Sequence, residues 1–373
     1  MAKEEKKAPK LRFNGYTNDW ERKELNNILK INSGRDYKQL NSGNIPVYGT
    51  GGYMLSVNDK LSDTDAVGIG RKGTIDKPLY LKAPFWTVDT LFYCTSKENS
   101  DVKFIYLLFQ IINWKRYDES TGVPSLSKNT ISNIKTYVPK IKEQDYISKL
   151  FFSLDNTLQL HEDHLQFLHS FKSFLLQKMF FDNDIPPLLR FNKFTEKWNQ
   201  CRLNDHTIVT MGQSPNSKNY TNNQTGKILV QGNADLYKNK VLKRVFTTEV
   251  TKTAVKNDIL ISVRAPVGDI ARNQYESVVI GRGIASIKGN DFLYYQLEKM
   301  KNNGFWNKYI AGSTFESITG KDLKNTKIYT TNSDEERKIG NIFSSLTKII
   351  QLQEHKIDSL KKLKQFLLQN MFI

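Results

Sequence analysis

The sequence predicts an α+β protein: two globular mixed α/β domains separated by a long antiparallel two-helix coiled coil, related by an internal pseudo-twofold repeat. Three observations predict this fold class. FLLQKMF at Phe174–Phe180 recurs as FLLQNMF at Phe366–Phe372. The residues before each copy follow a heptad pattern, and the rest of each half alternates short apolar runs with glycine-rich turns. Self-similarity over such a long period indicates a duplicated structural unit.

The duplication extends well beyond the two heptapeptides. A shift of 192 residues lays Gln144–Phe181 over Glu336–Ile373 with 15 identities in 38 positions, far more than chance gives. PKLRFNGYTNDW (Pro9–Trp20) matches PLLRFNKFTEKW (Pro187–Trp198) at a shift of 178. The two shifts differ by 14, so the stretch between the matches is longer in the second half, where the copies have also diverged most.

The duplicated helical segments carry an apolar seam with alternating spacings of four and three residues, which is typical of a coiled coil. A helix of about 37 residues is roughly 55 Å long, and its apolar stripe needs a partner. The first helix must cross from one variable region to the next and the second must return, so an antiparallel pair is favoured. Polar residues interrupt the seam at His161/Gln353 and Lys172/Lys364. They either set the register or lie at the seam edge, and both interpretations stay open.

The predicted domain boundaries follow from this pattern and from the two prolines in NDIPPLLRF. They are a disordered basic tail at 1–10, a first variable domain at 11–142, a first spacer helix at 143–182, a linker at 183–188, a second variable domain at 189–332 and a second spacer helix at 333–373.

The charge of the chain indicates a polyanionic partner. It has 55 Lys and Arg against 38 Asp and Glu, a net charge of +17 that favours nucleic acid. A merely basic protein is the alternative. Cys94 and Cys201 are its two cysteines, which excludes a disulfide framework and fits a reducing cytoplasm, so we expect a cytoplasmic protein. No apolar run has the length of a membrane span, so we expect no membrane partner.

The turns of both variable regions suit contacts to nucleic acid. NIPVYGTGGYM brings backbone amides of a glycine loop towards a phosphate or base edge, and AVGIGRKGTIDKPLYL presents a basic turn. In the second region, ILVQGNADL stands where the glycine loop stood, and two arginine-bearing turns follow. Arginine forks suit guanine or phosphate and amides suit adenine. The candidate DNA-binding residues are Gly49, Thr50, Gly51, Gly52, Tyr53, Arg71, Lys72, Gln213, Ser214, Gln231, Asn233, Arg264 and Arg282. A surface or structural role stays open for each.

Catalytic and metal-binding constellations are missing from the sequence. There is no GxxxxGK[ST] phosphate loop, no complete NPPF-type methyltransferase loop and no Pro-Asp followed by Glu-x-Lys. His161, His164 and His169 lack carboxylate or cysteine partners at ligand spacing. We therefore expect no catalytic residue, no metal site and no cofactor bound by this chain.

Taken in order, the motifs resemble the specificity subunit of type I restriction–modification systems. The motifs are the LRF…W openings (Leu11–Trp20 and Leu189–Trp198), IPVYGTGGY, GRKGTIDKP, WTVDTLFY, MGQSP, SVRAPVGD, IGRGIA and the two LLQxMF helix ends. The resemblance implies that each variable domain is a target recognition domain reading one half of a split double-stranded DNA sequence, with the helices fixing the gap between the halves. It also implies a non-catalytic subunit that docks two modification subunits and translocating restriction subunits. S-adenosylmethionine, ATP and Mg are implied for those partners.

The sequence leaves two alternative functions open. The chain could be a sequence-specific DNA-binding scaffold or regulator without enzyme partners, which co-purification would separate. A self-sufficient DNA methyltransferase or nuclease is disfavoured by the missing motifs, and methyl transfer by the isolated chain would establish it.

The spacer interpretation predicts the effect of a deletion. Removing seven residues, one heptad, from the first helix should shorten the spacer tolerated between the two DNA half-sites, because the helix length sets the gap. Binding to duplexes with graded spacers measures this. An unchanged spacer preference contradicts the interpretation.

Overall fold

The computed structural model describes residues 8–182, 184–309 and 317–373. The chain divides into unit 1, which runs to Asp163 and includes His355–Ile373, and unit 2, which is His164–Glu354. Residues 1–7 of the predicted tail, Asn183 of the predicted linker and residues 310–316 of the second variable domain lie outside the described residues. The domain boundaries given above stay predictions.

Unit 1 is a mixed α/β domain with the first part of a long helix. Its strands are β1 (Glu21–Glu24), β2 (Leu29–Ser33), β3 (Ser42–Gly49), β4 (Gly52–Val57), β5 (Ala66–Gly70), β6 (Leu79–Leu81), β7 (Trp86–Thr87), β8 (Leu91–Ser96) and β9 (Lys135–Val138). Its helices are α1 (Leu25–Ile28), α2 (Val102–Ile111), α3 (Lys128–Asn133), a 3-10 helix at Trp114–Tyr117 and the start of α4 (Ile141–Met179).

The strands of unit 1 form three sheets, with the orders β2-β8-β5-β6, β4-β3-β7 and β1-β9. β5 is buried along its whole length, as its AVGIG sequence predicts for a central strand. Val67 and Ile69 of this strand share one apolar core with Phe104 and Leu108 of α2. The sheet and the helix therefore bury each other's apolar faces.

Unit 2 repeats this plan with more strands. They are β10 (Asn199–Arg202), β11 (Val209–Met211), β12 (Tyr220–Thr221), β13 (Lys227–Val230), β14 (Leu236–Tyr237), β15 (Lys240–Val241), β16 (Val245–Thr247), β17 (Thr253–Val255), β18 (Ile259–Ser262), β19 (Ile270–Arg272), β20 (Ser277–Ile280), β21 (Ile284–Ile287) and β22 (Lys327–Thr330). Its helices are α5 (Leu203–His206), α6 (Asp291–Asn302), α7 (Gly320–Lys324), 3-10 helices at Ser217–Asn219, Asn233–Asp235 and Phe305–Tyr309, and the start of α8 (Ser333–Asn370).

Two of the three sheets of unit 2 have more strands than those of unit 1, and the third has two strands in both units. The sheets of unit 2 have the orders β11-β21-β18-β19-β15-β14, β12-β16-β13-β20-β17 and β10-β22. Ile259 and Ile261 of β18 share a core with Phe292 of α6 and Phe343 of α8. The alternate residue Leu260 faces a second core with Val230. β18 is thus buried on both faces, which explains its uninterrupted apolar sequence.

The long helices α4 and α8 pair in an antiparallel manner within each unit. In unit 1, Asp155 pairs with Lys364 and Glu162 pairs with Lys361, both at 2.6 Å, so numbers rise along one helix as they fall along the other. In unit 2, Leu168 packs with Ile350 and Phe180 packs with Phe343. Together with the two mixed α/β domains, this confirms the predicted fold class.

The two seam lysines make different contacts. Lys364 joins the helices to each other through Asp155, as the register interpretation requires. Lys172 is buried, but its Nζ bonds Glu298 Oε1 of α6 at 2.9 Å and lies 5.1 Å from the ring centroid of Tyr295. Lys172 therefore fixes α4 to the domain of unit 2 and does not set the helix register.

The repeated LRF opening is explained by an ion pair at the start of each long helix. Arg12 donates to both carboxylate oxygens of Glu143 at 2.6 and 2.8 Å in unit 1. Arg190 does the same to Glu335 at 2.6 and 2.8 Å in unit 2. Bidentate arginine–carboxylate pairs are geometrically specific, so the opening segment is fixed to the first helical turn in both copies.

The repeated LLQxMF ends are explained by aromatic packing. Phe372 stacks on Phe104 at 5.5 Å and lies edge-on to Trp20 at 6.2 Å in unit 1. Phe180 lies 6.4 Å from Trp198 in unit 2. Each helix therefore ends in the core beside the opening segment of the other repeat, which requires the same aromatic twice.

Replacing Arg190 with Ala should destabilise unit 2, because Glu335 is fully buried and would keep an unpaired charge. We expect a loss of about 3 kcal/mol in the free energy of unfolding at pH 7. Urea-induced unfolding followed by tryptophan fluorescence measures this loss.

The loss should depend on pH. Burial acts to raise the pKa of Glu335, but hydrogen bonds from Arg190 and Thr331 lower it more, so the net effect is a lowered pKa. The ionised Glu335 therefore contributes to the stability of the wild type at neutral pH, and this contribution is lost as the pH falls through the pKa of the folded state. Without Arg190, burial dominates and raises that pKa. The loss of unfolding free energy in Arg190→Ala should therefore be smaller at pH 5 than at pH 7. At pH 7, the double variant Arg190→Ala/Glu335→Gln should be more stable than Arg190→Ala alone. An equal deficit at both pH values contradicts this account.

Candidate nucleic-acid interface

The predicted glycine loop of unit 1 is the tip of the β3–β4 hairpin. Tyr48 pairs with Tyr53 and Gly49 pairs with Gly52 across the two strands, leaving Thr50 and Gly51 at the tip. Gly52 has a φ of +109°, a conformation that side chains with a Cβ rarely adopt. The backbone amides of this tip are therefore held in a turn that only glycine accommodates without strain.

An aromatic side chain projects from this hairpin. Tyr53 is 63% exposed, although its ring meets Tyr48 edge-on at 6.5 Å and its hydroxyl lies 3.1 Å from Ser56 Oγ. The ring is thus positioned but uncovered. Base stacking on such a ring contributes about 1–3 kcal/mol per base in proteins that bind nucleic acid.

The basic turn of unit 1 lies beside the hairpin tip. Arg71 N donates to Thr90 O at 2.8 Å, and the side chains of Arg71 and Lys72 are exposed. A Cβ placed on Gly73 would lie 3.7 Å from Thr50 Oγ1. The structure therefore brings the glycine loop and the basic turn, which the sequence predicted as separate features, into one surface.

Four candidates of unit 2 are connected by hydrogen bonds that backbone amides donate. Gln213 N donates to Ile280 O at 2.9 Å, Arg282 N donates to Ser214 Oγ at 3.1 Å, and Gly283 N donates to Gln231 O at 3.1 Å. The candidates Gln213, Ser214, Gln231 and Arg282 therefore lie together where β20 turns into β21.

Asn233 and Arg264 extend this cluster. Asn233 begins the 3-10 helix at Asn233–Asp235, and Asp235 Oδ2 accepts a hydrogen bond from Gln231 N at 2.8 Å. Val263 N donates to Gly283 O at 2.9 Å, so Arg264 lies opposite Arg282 just past the β18–β21 pair. Both arginine side chains are exposed.

The two loops occupy corresponding positions, as the sequence comparison predicted. In unit 1, β3 runs parallel to β7 with Val47 opposite Trp86. In unit 2, β13 runs parallel to β20 with Leu229 opposite Val279. The QGNADL part of ILVQGNADL therefore follows β13, the strand that corresponds to β3 before the glycine loop.

Lys72 and Arg264 are equivalent in the repeat. The backbone of Lys72 forms an isolated antiparallel β-bridge with Ser125, and the backbone of Arg264 forms the same kind of β-bridge with Ser317. The neighbouring bonds also match, because Leu126 N donates to Arg71 O and Ile318 N donates to Val263 O, both at 2.9 Å. Lys72 and Arg264 are 192 positions apart, which is the same shift that relates the two long helices, although the two turns share little sequence. The two units thus place different cations at the same point of one scaffold.

Sequence reasoning missed Lys128, which lies beside the basic turn. Its Nζ is 5.8 Å from the ring centroid of Phe92, and Arg71 Cζ is 5.9 Å from the same centroid. Lys128 lies here because Ile131 of α3 and Phe92 of β8 are buried in the same apolar core. The sequence signal that could have found it is Ser127, a typical N-cap residue, directly before a lysine.

The described part of the chain shows neither a metal-binding cluster nor a helix that could span a membrane. Among residues 8–182, 184–309 and 317–373, no group of three or more His, Cys, Asp or Glu side chains is arranged to hold a metal ion. Within the same residues, no helix has the length and apolar character needed to cross a bilayer.

Comparison with known proteins gives a consistent result. The family model described as "Type I restriction modification DNA specificity domain" matches residues 17–169 and again 195–362, more than half of the chain. The putative type I restriction enzyme MjaX specificity subunit of Methanocaldococcus jannaschii is 27% identical over 283 residues. This alignment covers 70% of the present chain and 65% of the relative, so slightly less than two thirds of that relative's length is matched.

Solved structures share the fold. The crystal structure of a type I restriction–modification S subunit from M. genitalium has a TM-score of 0.72 and 15% identity, covering 98% of this chain and 99% of that one. A structure described as showing complex assembly and conformational transition of the type I R-M system has a TM-score of 0.57 and 20% identity, covering 95% and 97%.

The glycine hairpin offers a matched pair of substitutions. Gly52→Ala should cost about 1–3 kcal/mol, because φ at this position is +109°. Gly51→Ala should be nearly neutral, since a Cβ there meets no atom within 4 Å and its φ is not in the left-handed region. Thermal unfolding compares the two variants. Equal effects contradict the assigned turn geometry.

Proposed function

Since the chain belongs to the family of type I restriction modification DNA specificity domains, we propose that it is the non-catalytic specificity subunit of a type I restriction–modification enzyme. In this role it reads a bipartite double-stranded DNA target, one half with each unit. The observation that carries the proposal is the equivalence of Lys72 and Arg264: one scaffold presents different polar side chains twice.

The charge and shape of the candidate surfaces suit DNA. The net charge of +17 attracts the phosphate backbone over a long range. Tyr53 supplies an uncovered aromatic face in unit 1, and Arg264 and Arg282 supply two neighbouring exposed forks in unit 2. An arginine fork can contact guanine O6 and N7 together, which discriminates between bases.

The chemistry belongs to partner subunits in this proposal. Two modification subunits bind S-adenosylmethionine and methylate adenine, and restriction subunits use ATP and Mg to translocate and cleave DNA. The sequence of this chain carries none of the motifs for those steps. A structural relative is described in terms of complex assembly of the type I R-M system, which supports the expectation of partners.

The long helices carry exposed apolar side chains at positions that the repeat reproduces. In unit 1, Leu160, Leu363 and Phe366 are 68%, 45% and 53% exposed. The equivalent residues 192 positions away lie in unit 2, where Leu352, Phe171 and Phe174 are 63%, 41% and 47% exposed.

Clustered exposed apolar residues mark interaction sites. Because the same three positions are apolar and exposed in both copies, they suit two copies of one partner. We assign them to the two modification subunits. A regulator without partners would leave all six side chains in water.

Single substitutions of the equivalent cations test the DNA-reading function. Lys72→Ala should weaken recognition of one half-site and Arg264→Ala that of the other, because each lies in a separate unit. Losing one base-discriminating contact should cost about 1–3 kcal/mol, roughly 5- to 150-fold in affinity. Binding to duplexes altered in one half-site at a time gives the readout. A loss by each variant at both half-sites contradicts the division of labour.

The docking assignment predicts a stepwise loss of partners. Phe174→Ser and Phe366→Ser should each remove one modification subunit, and the double variant should remove both. The mass of the complex purified from the native host measures this. Ile349→Ser is the matched control, because Ile349 is 48% exposed but its repeat equivalent is the polar Thr157. A double variant with its full complement of subunits contradicts the assignment.

A further inference from the structure

An open pocket in unit 1 gathers three cations beside the basic turn. Arg71, Lys72 and Lys128 line it together with Ser33 and Ser127. Among the described residues, none of the three cations forms an ion pair with a carboxylate. No direct ion pair therefore cancels their charges.

One carboxylate, Glu119, also lines the pocket. Its Oε1 already accepts a hydrogen bond from Ser127 Oγ at 2.9 Å and another from Thr130 Oγ1. Glu119 thereby holds the turn that leads into α3, and the pocket keeps an excess of two positive charges. This excess suits an anion with one or two negative charges.

Two of the cations are fixed over one aromatic ring. Arg71 and Lys128 lie 5.9 and 5.8 Å from the ring centroid of Phe92, which is 3% exposed and belongs to the core. A cation–π contact positions a cation without cancelling its charge. Both cations also line the same pocket, so an anion bound there interacts favourably with both charges.

The backbone of the pocket is also fixed. Arg71 N donates to Thr90 O at 2.8 Å, and Leu126 N donates to Arg71 O at 2.9 Å. Ser127 Oγ accepts from Thr130 N at 3.1 Å and so caps α3, whose first residue is Lys128. Little ordering is then required on binding, which favours affinity.

We propose that this pocket binds one phosphate of the DNA backbone, with Arg71 and Lys128 as its principal ligands. The inference rests on the proposed function and gives Arg71 a positioning role in place of base reading. It is specific to unit 1, because the residues 192 positions after Arg71, Phe92 and Lys128 are Val263, Ile284 and Gly320.

Salt dependence and sequence preference test the phosphate pocket together. The probe is a duplex selected from random-sequence DNA by the full-length protein, purified with the subunits that accompany it in its host. Affinity for this duplex, and for one altered in a half-site, is measured between 50 and 200 mM KCl. The variants are Arg71→Ala, Lys128→Ala and the double variant. Lys149→Ala is the control, since it removes the same charge from an exposed ion pair on α4.

In a plot of log affinity against log KCl concentration, each single variant should have a slope about 0.9 less steep than that of the wild type. Between 50 and 200 mM KCl, the affinity of each variant should therefore fall by a factor roughly threefold smaller than the factor for the wild type. The double variant should reduce the slope by about the same amount, because both residues hold one phosphate. Affinity should fall by the same factor for both duplexes, and selection should return the same preferred sequence.

Three results overturn the proposal. If Lys128→Ala leaves the salt slope unchanged, Lys128 does not contact a phosphate. If the double variant changes the slope twice as much as each single variant, Arg71 and Lys128 contact two separate phosphates. Loss of preference at defined base pairs shows that Arg71 reads bases. If the wild type binds no duplex at all, the proposed function fails together with the pocket, whereas a normal wild type with unaffected variants refutes the pocket alone.

Discussion

A bidentate ion pair between an opening segment and a long helix closes each unit. Arg12 with Glu143 and Arg190 with Glu335 connect residues 131 and 145 positions apart. Because Glu335 is fully buried, neither ion can lose its partner without a large cost. The backbone continues the connection, since Leu11 N donates to Asn370 O and Leu189 N donates to Lys178 O, both at 2.9 Å. Each opening segment is thus fixed to the start of one helix and to the end of the other.

This constraint separates the scaffold from the recognition surface. The ion pairs, the Phe180 and Phe372 helix ends and the antiparallel helix segments recur in both units. The loops that project from the scaffold do not recur, although Lys72 and Arg264 occupy the same bridge position. A chain built in this way can change what one unit recognises without disturbing its core, because Lys72 and Arg264 are exposed, whereas Glu335, Phe180 and Phe372 are buried.

The sequence predicted the features that depend on local patterns. The long helices follow from heptad spacing, the hairpin tip from its glycines, and the duplication from identities in the helices. Three features were not predicted: the carboxylate partners of Arg12 and Arg190, the equivalence of Lys72 and Arg264, and the position of Lys128. Each depends on contacts between segments that lie far apart along the chain, and no local pattern reveals such contacts. Backbone hydrogen bonds preserve the correspondence of Lys72 and Arg264, and backbone bonds leave no trace in side-chain identity.

The most direct test of the account is the form of the DNA sequence that the protein selects. The full-length chain, with its accompanying subunits, is incubated with random-sequence duplexes, and the bound fraction is sequenced. Two units that each read DNA should select two short specified blocks separated by an unspecified gap of constant length. A single continuous block, or no preference, would contradict the claim that the duplicated units recognise two halves of one target.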